Sequence, residues 1–132
     1  MSVLSGSWHN EHGSELTIEV APTGRVVGHF RTGVGLGKEE SFDVVGCAAD
    51  ELIAFTVCFG RRGAITSWVG HFLAAEQRIE ALWHMTVAMP HPGRADELWK
   101  GVWSGADVFE RGPAEAVRPP SRRPAPTPLW MG

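Results

Sequence analysis

Over most of the chain, apolar residues recur at every second position, in short segments separated by Gly, Pro and Asp. Leu16, Ile18 and Val20 alternate with Glu15, Thr17 and Glu19, which places the apolar set on one face of an extended strand and the polar set on the other. Pro22-Thr23-Gly24 ends that strand, because proline supplies no amide hydrogen and glycine accepts turn geometry. Val26, Gly28, Phe30 and Thr32 resume the alternation beyond the turn. Glu40 to Cys47 and Leu52 to Phe59 predict two further strands joined around Ala48-Ala49-Asp50-Glu51. Ala64 to Ala74 and Arg78 to Ala88 predict another pair, bent back near Ala75-Glu76-Gln77. Pro90 to Glu97 reads as a loop, and Gly101 to Phe109 as a last strand with Gly101, Trp103, Gly105, Asp107 and Phe109 on one face. With Gly6 to Asn10 in front, eight strands are expected, and little of the chain carries a helical period.

Eight antiparallel strands joined by short turns close most naturally into an up-and-down β-barrel, whose interior holds one small ligand. An all-β fold of this kind is expected over residues 6–111, a sandwich of the same strands being the alternative. The composition changes over residues 112–132, where six of the nine prolines fall between Pro113 and Pro128 among Ala, Ser and Arg. Such a segment cannot build a packed core and reads as an extended tail. It closes on Leu129-Trp130-Met131-Gly132, and a bulky apolar end on a low-entropy strap suits contact with a neighbouring subunit or a pocket mouth. A simple solvated extension is the alternative.

Composition narrows the function classes. At 132 residues the chain makes one domain rather than two. The net charge is −3, and the tail carries Arg118, Arg122 and Arg123 against Glu115, so the barrel segment is the more acidic part and a nucleic-acid partner is disfavoured. No apolar run is long enough to span a membrane as a helix. The start leads directly into the first strand without the pattern of a signal peptide, so a cytoplasmic location is expected, or secretion if a signal has been removed. Cys47 and Cys58 are too few for a disulfide scaffold and are expected as free thiols on the outer surface. Six Trp and six Phe without a single Tyr give apolar walls with few hydroxyls, a composition suited to ligand pockets and interfaces.

Several motifs carry a resemblance. Gly6-Ser7-Trp8-His9-Asn10-Glu11-His12-Gly13-Ser14 resembles the opening Gly-Thr-Trp-x-Asn-x-x-Gly-Ser of the avidin family, and Ala54-Phe55-Thr56-Val57-Cys58-Phe59 resembles its Gly-Trp-Thr-Val-x-Trp strand. Ala64-Ile65-Thr66-Ser67-Trp68-Val69-Gly70, Leu82-Trp83-His84-Met85, Leu98-Trp99-Lys100 and Gly105-Ala106-Asp107-Val108-Phe109 follow in the family's order. The resemblance covers about residues 6–110 and implies non-catalytic, high-affinity biotin binding inside the barrel, for sequestration of the vitamin.

Residue by residue, it gives Asn10 and Ser14 the oxygen of biotin's ureido ring, and Thr32 and Asp107 its two N–H groups. Thr66 would face the thioether sulfur; Phe59, Trp68, Trp83 and Met85 would wall the bicycle, with Val34 and Gly35 beside Thr32. Trp99 would reach across a subunit boundary, which implies a homotetramer, with a dimer as the alternative. Two departures weaken the set. Phe30 stands where the family has Tyr, so a third donor to the ureido oxygen is missing, and Ala64 replaces a serine that bonds the valerate carboxylate. Binding weaker than in the tightest members is therefore expected. His12 stands where the family often has an aliphatic residue, and if it faces the ligand, binding should vary between pH 5 and 8.

Competing readings are weaker. Gly6-Ser7-Trp8 also satisfies the lipocalin Gly-x-Trp signature, but the polar set Asn10, Ser14, Thr32 and Asp107 suits no lipid tail. No Ser or Cys has the elbow or partner motif of a hydrolase. His9 and His12 point to opposite faces of an extended segment, and no Cys or carboxylate lies at a zinc spacing, so neither a metal nor a cofactor is expected. Asn10 and Ser14 have a plainer use as turn residues, and Trp8 one in closing the barrel floor.

Overall fold

A computed structural model describes residues 3–33, 40–60, 63–88 and 101–112. Its strands are β1 (Gly6–Asn10), β2 (Glu15–Val20), β3 (Arg25–Arg31), β4 (Phe42–Ala49), β5 (Leu52–Cys58), β6 (Ala64–Leu73), β7 (Arg78–Val87) and β8 (Val102–Arg111). Each pairs antiparallel with the next, and β8 returns to β1, so the sheet is a closed eight-stranded up-and-down barrel.

Local chemistry explains the hairpins. β4 and β5 are joined by only Asp50 and Glu51, with Ala49 opposite Leu52 and Asp50 in the left-handed region at φ 54°, a conformation Asp tolerates better than most residues. The turn is tighter than the sequence pattern predicts, and β4 starts at Phe42 and runs on to Ala49 in consequence. β8 extends beyond Phe109 to Arg111 because closure demands partners there. Trp8 pairs with Arg111, and the Gly112 amide donates to the Ser7 carbonyl. Gly28, midway along β3, sits where an added Cβ would lie 1.9 Å from the Thr17 carbonyl oxygen, so the sheet bends there more closely than a side chain permits.

The inward faces make one core, including Leu16, Ile18, Val26, Val44, Val57, Ile79 and Phe109. At one end the Trp8 indole is buried edge-on to Phe72 at 5.9 Å, donates to the Leu4 carbonyl and lies under the Arg111 guanidinium at 4.0 Å. Arg111 also donates to the Ser5 and Val3 carbonyls and to Gln77. Trp8 thus serves as floor.

Outward residues of β4 to β8 align laterally as Cys47, Ala54, Val69, Leu82 and Ala106, each opposite the next. They form an apolar stripe across five strands, with Val69 59% and Leu82 62% exposed. Leu73, at the end of β6, is half-buried. Cys47 and Cys58 are free and exposed, and Cys47 faces Ala54 rather than Cys58. Trp103 shares the parity of Asp107 and Phe109 yet is 43% exposed, because it is the second residue of β8 and stands at the barrel's end. The tail, 113–132, lies outside the described residues.

Candidate functional site

The buried polar residues of the described chain are Asn10, Ser14, Thr32, Thr66 and Asp107. All five belong to the set the sequence singled out, and they come from β1, the β1–β2 turn, the end of β3, β6 and β8. A carboxylate in such a place requires partners, and Asp107 has them on one side only. Its Oδ2 accepts the Trp68 indole N–H at 2.9 Å and an Asn10 amide N–H at 3.4 Å. Its Oδ1 is buried with no hydrogen-bond donor among the described residues, 3.9 Å from His12 Nε2. Burial pushes the Asp107 pKa up to about 6, opposed by the Trp68 hydrogen bond, while nearby Glu11 pushes the same way as burial.

Asn10 has two uses. Its Oδ1 accepts the backbone amides of His12 at 3.0 Å and Ser14 at 2.9 Å, which shapes the tight β1–β2 turn around Gly13 at φ 81°. Its amide nitrogen faces inward to Asp107. Turn residue and site residue are therefore one and the same. Ser14 Oγ accepts the Gly33 amide at 2.9 Å, which leaves the hydroxyl proton to be donated into the interior.

Aromatic rings surround this group. Trp68 stacks on Phe55 with centroids 4.9 Å apart and tilts against Phe30 at 5.2 Å, while Phe30 meets Phe59 edge-on at 6.1 Å. Trp83 lies opposite Gly105 across β7 and β8, and a Cβ on Gly105 would come within 2.5 Å of its ring. The missing side chain is what lets the indole lie against the β8 backbone. Trp83 Nε1 is buried with no acceptor among the described residues. Met85 is buried beside Thr66, its partner across β6 and β7. The interior thus offers an unpaired acceptor on Asp107, an unpaired donor on Trp83 and a hydroxyl on Ser14, all within apolar walls. A small heterocycle with its own donors and acceptors would satisfy them.

Val34, Gly35 and Trp99 lie outside the described residues. His9 and His12 are separated as expected: His9 bonds the Gly112 carbonyl, and the His12 side chain turns inward to Asp107. Two roles escaped the sequence reading. Trp68 was assigned a ring contact, and it also holds the carboxylate. Glu11 has no assigned role in the sequence beyond its place in the opening motif, yet Val108 donates its amide to Glu11 Oε1 at 3.1 Å, beside Asp107. The signal for Glu11 lies in strand pairing across the whole chain and not in local spacing. A concavity of about 880 Å³ lies on the outer wall over Cys47, Leu52, Val69 and Leu82, a surface for contact and not the polar interior.

Comparison with known proteins agrees with this architecture. The profile of the Avidin family matches residues 1–112. Among solved structures, the chain is similar to the crystal structure of Xenavidin, with a TM-score of 0.71 and 27% identity over 83% of this chain and 96% of that one.

Proposed function

The chain belongs to the avidin family, a family of non-enzymatic biotin binders, and from that premise we propose that it binds biotin with high affinity inside its barrel, less tightly than the strongest members do. The observation that carries the reading is the half-satisfied Asp107. A urea presents two N–H donors and one oxygen. Asp107 Oδ1 would accept one N–H and Thr32 the other, while Ser14 and Asn10 would donate to the oxygen. Trp68, Trp83, Phe59, Phe30 and Met85 would enclose the bicycle, and Thr66 would meet the thioether. A lipid carrier, the lipocalin-like alternative, would leave Asp107, Asn10 and Ser14 against hydrocarbon, at a cost of about 1–3 kcal/mol for each unpaired group. Biotin acts as the ligand, and the reading requires no cofactor.

Calorimetric titration with biotin, with tryptophan emission followed in parallel, tests the proposal. Saturation near one biotin per chain with quenched or shifted emission supports it; no heat and no spectral change would sink it.

Two further outcomes follow from the same geometry. Phe30→Tyr is expected to raise biotin affinity about tenfold, because the new hydroxyl supplies the missing donor to the ureido oxygen, worth about 1–1.5 kcal/mol. Without ligand that hydroxyl would sit among the rings of Phe59 and Trp68, so the free variant should melt lower than the parent. Titration and thermal melts of the pair check both halves.

The second outcome concerns pH. A proton taken up by Asp107 goes to Oδ1, since Oδ2 already accepts two bonds. The protonated form would then turn a donor toward the ureido N–H. In metal-free buffer, affinity should fall by up to about tenfold per unit below pH about 6. Dissociation constants measured from pH 4.5 to 8 test this, and a flat profile would refute it.

We also propose that the chain self-associates through its outer apolar stripe, as a homotetramer or, failing that, a dimer. A contiguous apolar surface of this kind on a barrel wall calls for a partner, and a second copy of the same stripe is complementary to it.

A further inference from the structure

We propose that Glu11, His12 and Asp107 bind a divalent metal ion of the zinc class at the polar end of the barrel, sharing Asp107 with the organic ligand. Among the described residues these three bring a ring nitrogen and two carboxylate oxygens within 4.8 Å of one another. The buried Asp107 Oδ1, which no donor reaches, points into that cluster at 3.9 Å from His12 Nε2.

Each donor is held from behind. Trp68 and Asn10 fix Asp107 through its other oxygen. The Val108 amide fixes the Glu11 carboxylate. Asn10 Oδ1 clamps the turn that carries His12 by accepting the His12 and Ser14 amides. Supporting bonds of this kind orient the ligands of metal sites.

Electrostatics points the same way. Two carboxylates lie close together with one imidazole beside them, and the charge of Glu11 disfavours that of the buried Asp107. A dication would relieve that repulsion. One imidazole and two carboxylates, with water completing a tetrahedron, is a donor set suited to zinc. Calcium and magnesium favour oxygen donors and gain little from the imidazole, which suits zinc. Bonds of about 2.1 Å place tetrahedral ligands about 3.4 Å apart, so closing the 3.9 Å gap between His12 and Asp107 takes about half an ångström, and drawing in the whole cluster, which spans up to 4.8 Å, takes about an ångström more in a turn that contains glycine.

The metal and a ureido N–H would use the same oxygen, so each should exclude the other. That competition rests on the biotin reading; uptake of the metal does not.

The test begins without biotin. Zinc chloride is titrated into the full chain in competition with a chromogenic chelator, alongside Glu11→Gln and His12→Gln, whose folding is checked by circular dichroism. One zinc per chain is expected, with affinity reduced about tenfold or more in each variant and no uptake of magnesium. Failure to take up zinc at 100-fold excess over protein, or uptake unchanged in both variants, overturns the site. Biotin is then titrated with and without saturating zinc. Weaker binding in zinc, relieved in Glu11→Gln, establishes the shared oxygen, and identical binding removes that part of the proposal. If the chain bound zinc and never biotin, the biotin reading would fail and the metal site would stand.

Discussion

Replacing Asp107 with Asn is expected to weaken biotin binding about a thousandfold or more while leaving the barrel at least as stable as before. The two effects have separate causes in one carboxylate. Oδ2 accepts Trp68 and Asn10, and an amide oxygen can do the same. Oδ1 is the oxygen with no donor, and in the variant an NH2 group takes its place, presenting donors to a ligand N–H. The loss is a charge-assisted hydrogen bond, about 1.5–3 kcal/mol, together with a donor–donor clash in a dry site. Sites built around one hydrogen-bonding pattern discriminate by comparable or larger factors, and about 4 kcal/mol is a thousandfold.

Stability runs the other way. Folding raises the Asp107 pKa from 3.8 to about 6, so the folded chain holds this proton more tightly than the unfolded chain does. The stability linked to that proton is full below pH about 4 and lost as pH rises through about 6, a cost of about 3 kcal/mol at neutral pH. Asn carries no charge and escapes that cost. Thermal melts at pH 7.5 should place Asp107→Asn level with the parent or several degrees above it. A variant that lost both binding and stability would mean that Asp107 serves the fold and not the ligand.

This division between fold and site also explains what the sequence could reveal. Period-two alternation marks a strand wherever one face is buried, and it places Glu15–Val20 at its observed limits. It says nothing about which strand meets which. The pairing of Trp8 with Arg111 that closes the barrel joins the two ends of the domain; the count of eight strands and the ordered motif set imply closure, and neither carries that register. Asp107 was legible because a lone carboxylate on an apolar face is anomalous. Its dependence on Trp68 was not, since an indole on an inward face looks the same whether or not its N–H is engaged. Nothing local to Gly105 signals that the Trp83 ring lies over it. Glu11 gave no signal at all, because turns are commonly polar and its neighbour in space, Val108, belongs to the last strand.

Charging the outer stripe is expected to take the assembly apart. Val69 and Leu82 lie opposite each other on β6 and β7, more than half exposed, and Cys47, Ala54 and Ala106 extend their row to both sides. Val69→Glu combined with Leu82→Glu alters no inward contact, so the barrel should melt within a few degrees of the parent. In a two-fold interface every substitution appears twice, and near the axis a new carboxylate meets its own copy. Four buried, unpaired charges would cost several kcal/mol, enough to raise the dissociation constant of the oligomer by about a thousandfold or more. Sedimentation velocity at micromolar concentration should then show single chains where the parent shows an oligomer. The same variant reaches the site: if an indole from a neighbouring chain completes the pocket, as the place of Trp99 in the motif order implies, biotin should bind the separated chains more weakly although Asp107, Ser14 and Trp68 are untouched. Unchanged affinity in the monomer would make each barrel self-sufficient. An oligomer that survived both charges would move the interface off this stripe altogether.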